Sequence, residues 1–357
     1  MSFKTLKTLL CATGLACASL LPMAAHAEQK QQFNLAWTIY AGWMPWKYAE
    51  ESGIMKKWAD KYGIEVKITQ INDYVESINQ FTAGQFDAVV LTSMDALSIP
   101  AAGGVDSTAL IVGDYSNGND GMVMKDSADL KTLKGQKVNL VELSVSHYLL
   151  AHALESVGLS ERDVQVVNTS DADIVGAFAS KDVRNVVTWN PLLDEVEKTP
   201  GAKLVFDSSK IPGHIKDLTL ANTKTLTDNP AFGKAVVGAW YEVMGIIASD
   251  TKEGADARAF LGKASGTDQA GYESQLKGMK MFWKPTDSLS FIKSEEAYKA
   301  MDSVRHFSFD HGLLGEGASS VDFIGISMPN GKLLGDAGNT KLRFDTTYMQ
   351  MAADGKL

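Results

Sequence analysis

Short apolar runs alternate with segments of helical periodicity, and the alternation happens twice, separated by one break. From Phe33 to Gly113 the strand-like runs are 33–39, 64–70, 86–91 and 108–112, with helical spacing between them. Strand and helix in strict alternation predict βαβ units around a parallel sheet. The stretch Asp114-Tyr-Ser-Asn-Gly-Asn-Asp120 then interrupts the pattern with Gly, Asn, Asp and Ser. A second series follows, with strands expected at 121–125, 137–141, 164–168, 185–189 and 203–206, and Asp207-Ser-Ser-Lys-Ile-Pro-Gly213 punctuates its end. These breaks read as two crossings between lobes. The expected organisation is a first lobe begun by residues 28–114, a second lobe over 115–213, and residues 214–357 completing the first lobe, mainly as helices, with a C-terminal extension. The last 40 or so residues, from Leu314, lose periodicity and are expected to be irregular or peripheral.

Residues 1–27 place Lys4 and Lys7 before an apolar run and end in Ala25-His26-Ala27, the order of a secretory signal, with cleavage expected after Ala27. Both cysteines, Cys11 and Cys17, lie in this segment. The exported form would therefore hold no thiol, disulfide or cysteine metal ligand. Cys17 follows Gly14-Leu15-Ala16, a poor context for lipid attachment. A soluble, monomeric periplasmic protein is expected. The net charge of −9 includes the two lysines of the leader, so the exported form is more acidic still. That balance argues against nucleic acid and anionic membranes as partners.

Ligands of open α/β sheets sit beyond the carboxyl ends of the strands. The first such turn belongs to the stretch Asn34 to Gly53, where an apolar run breaks at Gly42 and resumes behind Pro45 as a helix expected to reach Tyr62. It carries Tyr40, Trp43 and Trp46. The others supply Thr92, Ser93 and Asp95; Asp114 and Tyr115; Glu142, Ser144 and Ser146; and Trp189 with Asn190. Aromatic faces and carboxylates dominate, and no Arg or Lys is among them. Rings attract a cation through their faces and carboxylates accept its N–H donors, a combination that suits a small planar cation such as guanidinium. Duller roles compete: Tyr40, Trp43, Trp46 and Trp189 as core, Asp95 as a helix N-terminal charge, Asp114 as a turn former. His147 reads as a helix-face residue, since no second His or Cys stands at ligand spacing. No cofactor is implied.

Lys134-Gly-Gln-Lys-Val138, Ser144-Val-Ser-His-Tyr-Leu-Leu150 and Gly84-Gln-Phe-Asp-Ala88 resemble the nitrate, sulfonate and taurine binding proteins over roughly Phe33 to Asp250. The resemblance implies a two-lobe periplasmic binding protein of type II-like form, each lobe a doubly wound, mostly parallel sheet, with a ligand cleft between them. It also implies partners, an ABC permease and its ATPase. In the sulfonate binders the loop before the helix reads like Pro-Lys-Gly-Ser, whereas here it reads Val141-Glu-Leu-Ser144. A carboxylate at Glu142 would repel an anion if it faced the cleft. The double-aromatic turn, Thr92-Ser-Met-Asp95 and Val187-Thr-Trp-Asn-Pro191 resemble the binding proteins encoded beside urea carboxylase, which implies guanidine or urea as ligand. The expected role is a non-enzymatic receptor for guanidinium, with urea, then a sulfonate, taurine or nitrate-type anion, as alternatives. The fold is shared with thiamine-pyrimidine synthases, but their cysteine-rich motif has no counterpart in a chain without cysteine beyond the leader.

Overall fold

The computed structural model describes residues 30–357, so the expected export segment lies outside the described residues. Among the described residues fourteen strands occur in chain order: β1 (Gln32–Trp37), β2 (Glu65–Gln70), β3 (Ala88–Thr92), β4 (Ser107–Ser116), β5 (Asp120–Lys125), β6 (Lys137–Leu140), β7 (Gln165–Asn168), β8 (Asn185–Trp189), β9 (Ala202–Asp207), β10 (Lys216–Asn222), β11 (Met279–Met281), β12 (Gly325–Ser327), β13 (Leu333–Leu334) and β14 (Thr340–Phe344). They form two sheets. The larger has the order β13-β12-β14-β4-β10-β3-β1-β2, with β11 beside the end of β4, and the smaller has the order β7-β6-β8-β5-β9.

β1 pairs parallel with β2 and β3, and β6 pairs parallel with β7 and β8, as helical crossovers require. β5 and β10 are different. Each is the first strand after a crossing between lobes, and each enters the middle of its sheet antiparallel to both neighbours. The chain leaves the large sheet at Ser116, reaches the small one at Asp120, and returns through 208–215 to Lys216. The ends of β4, β5 and β10 therefore meet between the lobes.

Two local expectations need correcting. The helix expected from Pro45 to Tyr62 is two helices, Pro45–Glu51 and Ile54–Lys61, because Gly53 adopts φ +75° and turns the chain between them. The C-terminal segment is not peripheral. β14 pairs parallel with β4 through Leu342, Arg343 and Phe344, β12 and β13 extend the sheet, and helix Thr347–Ala353 packs Tyr348 and Met349 into the core. Its strands are two to five residues long. Runs that short carry no readable period.

Helix Pro230–Ile247 is apolar nearly all round and lies under the large sheet, against helices Pro45–Glu51 and Ile54–Lys61. Among the described residues no single helix is long and apolar enough to cross a membrane.

Candidate functional site

The turn after β1 closes by hydrogen bonds from the Trp43 and Met44 N–H groups to the Tyr40 carbonyl, at 2.8 and 3.1 Å. It turns both aromatic rings inward, 4.8 Å apart between centroids. Trp43 meets Tyr74, and Tyr74 meets Trp189 edge to face. Tyr74 is the first residue of helix Tyr74–Thr82, whose N-cap is Asp73. Its hydroxyl donates to Asp95 Oδ2 at 2.6 Å and accepts from the Thr92 N–H at 3.0 Å. Thr92 donates to the same Asp95 oxygen at 2.8 Å. Asp95 is thus a buried fastener for Tyr74 and Thr92.

These rings, with Thr92, Asp120, Val145, Ile215 and Asp217, enclose a chamber of about 240 Å³ of interatomic space. Within it the centre of a water-sized sphere has about 10 Å³ to move in, room for a body of very few heavy atoms. Both lobes contribute walls: Asp120 and Trp189 are opposite each other on β5 and β8 of the small sheet.

The carboxylates arrive from the crossing strands. Asp217 on β10 lies directly opposite Thr92 on β3 and Asp114 on β4. Residues opposed in this way share a face, with Cβ atoms roughly 4.5–5.5 Å apart. The register slips next to this row, Leu218 pairing with Val112 rather than Gly113, and the bulge re-aims the end of β4. A Cβ at Gly113 would lie 3.0 Å from the Trp240 ring, and one at Gly42 would lie 2.8 Å from Asp114 Oδ2. Glycine at 42 lets the aromatic turn close over the carboxylate.

Asp114, Asp120 and Asp217 are each at most 2% exposed. Both oxygens of Asp114, both of Asp217 and Oδ2 of Asp120 have no hydrogen-bond partner, and neither do the Tyr40 hydroxyl, Trp43 Nε1 or the Asn119 amide. Buried polar groups in folded proteins are almost always paired. Burial lifts the Asp114 carboxyl to about 6. Burial lifts Asp120 to about 7 against the opposing hydrogen bond from Ser116, with the charges of Asp114 and Asp95 adding to the rise. Asp217 is pushed well above the carboxylate range by burial and then by Asp114. Two carboxyls facing each other in a buried site oppose each other's ionisation. Asp95 rises to about 6 through burial, although its hydrogen bonds to Tyr74 and Thr92 oppose the shift.

Of the residues expected from sequence, Tyr40, Trp43, Thr92 and Trp189 line the chamber. Asp114 stands in its carboxylate row and Asp95 fastens its wall. The Ser93 and Ser146 hydroxyls are buried and unpartnered, each next in sequence to a lining residue. Ser144 caps helix Val145–Glu155, and Asn190 accepts from the Asp194 N–H. Three residues lie elsewhere. Trp46 packs on Trp240, 5.1 Å between centroids, and Tyr115 packs on Phe282 and Phe291. Glu142 is solvent-exposed and its backbone N–H donates to Asn168 Oδ1. Its loop turns outward through Leu143 at φ +64°, so Glu142 is not the chamber carboxylate. Asp120 and Asp217 supply the carboxylates expected of it, and Tyr74 is a further lining residue that the sequence did not single out. The acidic pairing with β10 was not readable locally, although the punctuation around 114–120 and 207–217 marks both crossings. Lys216, next to Asp217, is fully buried but turns its ammonium to the Gly213 and His214 carbonyls. Among the described residues no group of His, Cys, Asp or Glu is arranged to hold a metal ion.

Two lobes joined by antiparallel crossing strands, with a small chamber at the crossings, define a protein of the periplasmic binding class in fold. The alkanesulfonate-binding protein SsuA of Xanthomonas axonopodis pv. citri, solved with MOPS, superposes with TM-score 0.67 at 17% identity, over 81% of this chain and 96% of that one. The chain belongs to the family described as NMT1/THI5 like, whose model matches residues 48–248. A Brucella abortus relative named "Putative binding protein" is 26% identical over 237 residues, 65% of this chain and 70% of the relative. The taurine-binding periplasmic protein of Escherichia coli is 22% identical over 193 residues, 54% of this chain and 58% of that protein.

Proposed function

We propose that this protein is the extracytoplasmic solute receptor of an ABC importer and that its ligand is a small planar organic cation, guanidinium or a close relative. The carrying observation is the group of buried carboxylates Asp114, Asp120 and Asp217, with five oxygens lacking a hydrogen-bond partner, of which Asp120 and Asp217 line a chamber walled by Tyr40, Trp43, Tyr74 and Trp189. Guanidinium is flat, its N–H bonds point outward in one plane, and its charge persists at any physiological pH. Carboxylates take the edge while a ring takes the face. A sulfonate or nitrate would meet the wrong charge, with no Lys or Arg lining the chamber to offset it. The protein acts by binding alone and passes the ligand unchanged to a membrane permease driven by its ATPase.

Trp43 and Trp189 make the chamber its own reporter. Titration of the purified protein with guanidinium chloride, kept far below denaturing concentrations, is expected to change tryptophan fluorescence saturably. Urea is expected to bind weakly, because it lacks the charge that the carboxylates require. Taurine and nitrate should give no signal, and guanidinium should be recovered chemically intact. Saturation by taurine or nitrate alone would overturn the cation reading.

A further inference from the structure

Away from the chamber, a second set of titratable groups joins the two lobes. Glu161, in the turn after helix Val145–Glu155, receives two imidazoles. His147 Nε2 of the small lobe lies 2.6 Å from its Oε1, and His311 Nε2 of the large lobe lies 2.6 Å from its Oε2. Around them Phe307 stacks on His311 at 3.9 Å and meets Tyr148 edge-on at 4.8 Å. The end of helix Glu295–Asp310 is thereby fitted against the start of helix Val145–Glu155. We infer that Glu161, His147 and His311 are a latch that holds the lobes shut, positioning residues for closure that touch no ligand.

The two imidazoles are anchored differently. His311 Nδ1 lies 2.8 Å from the Phe307 carbonyl, so both of its nitrogens face oxygen atoms, and the residue closes the C-terminus of its helix. His147 Nδ1 instead accepts the Leu143 N–H at 3.2 Å, from the first turn of its helix. The Leu143 hydrogen bond also secures the left-handed backbone of that residue. Glu161 thus receives one imidazole from each lobe.

The other charges nearby pair among themselves on the small-lobe side, Lys134 with Asp163 at 3.4 Å and His152 with Glu155 at 3.7 Å.

Hydrogen exchange of the full chain tests this without any ligand, so the outcome does not depend on the cation reading. In Glu161→Gln, amides of 141–148 in the small lobe and 305–312 in the large lobe are expected to exchange roughly tenfold faster than wild type near neutral pH. Amides of β1 and β3 should not change. His311→Gln should do the same from the other lobe, and the double variant should be no faster than Glu161→Gln alone. Acceleration confined to 141–148 in both variants would reduce Glu161 to a local loop anchor and overturn the latch.

Discussion

At the scale of single residues, the chamber carboxylates make stability and binding pull in opposite directions. Asp217 faces Asp114 with no donor between them, so Asp217→Asn removes a repulsion from the empty protein while taking a charge-assisted contact from the bound one. The expected result is an unchanged or higher melting temperature for the ligand-free protein, with guanidinium binding weaker by about 1.5–3 kcal/mol, tenfold or more. Glu142→Gln, at an exposed position, should leave both quantities alone. Calorimetric titration and thermal melts of the two variants are a direct check: equal affinity loss in both would place the ligand elsewhere. Gly42→Ala should also weaken binding, since its methyl group would press on Asp114 Oδ2. The sequence exposed the chemistry of this site better than its members. Tyr40, Trp43, Asp114 and Trp189 stand at strand ends, where periodicity stops and turn residues begin. Asp217 was invisible as a site residue because its partners lie about a hundred positions upstream, brought beside it by antiparallel pairing that no local pattern encodes.

At the scale of elements, the βαβ units were legible because central strands such as β3 and β8 are buried on both faces and helices such as Ile54–Lys61 and Tyr74–Thr82 carry a clear apolar stripe. The antiparallel entry of β5 and β10 was not, since strand direction leaves no mark on composition. The glycines of helix Pro230–Ile247 were equally mute. A Cβ on Gly238 would lie 2.4 Å from the Trp58 ring, so this residue permits helices Pro230–Ile247 and Ile54–Lys61 to approach. Gly238→Ala is expected to cost about 1–3 kcal/mol of stability through overpacking. Denaturant unfolding should report that loss. Guanidinium affinity of the folded variant should be unchanged, because Trp58 and Gly238 take no part in the chamber; a parallel loss of affinity would mean that this interface shapes the site.

At the scale of the whole molecule, the buried acids tie ligand binding to protons. Asp114, Asp120 and Asp95 titrate at about 6, 7 and 6 in the folded chain, against an ordinary value of 3.8, and Asp217 is displaced in the same direction. An acid whose folded value is raised binds more protons folded than unfolded across the interval between the two values. Its contribution to stability is complete below the ordinary value and is lost as pH rises through the folded one. His214 works the other way: burial, with Lys216 and His152 nearby, depresses it to about 4, so it opposes folding as pH falls from about 6.5 to 4. The acids outnumber it, and the ligand-free protein should lose stability between about pH 5 and 8. A cation entering the chamber reverses the penalty, because it stabilises the ionised carboxylates and expels the protons they held. Guanidinium affinity should therefore climb with pH through about 6 to 7 as Asp114 and Asp120 ionise, with the ligand's own charge constant throughout. Calorimetry near pH 6 in two buffers of different ionisation enthalpy should register net proton release on binding. Affinity that is flat between about pH 5 and 8, with no proton released, would mean that the carboxylates of β4, β5 and β10 do not hold the ligand.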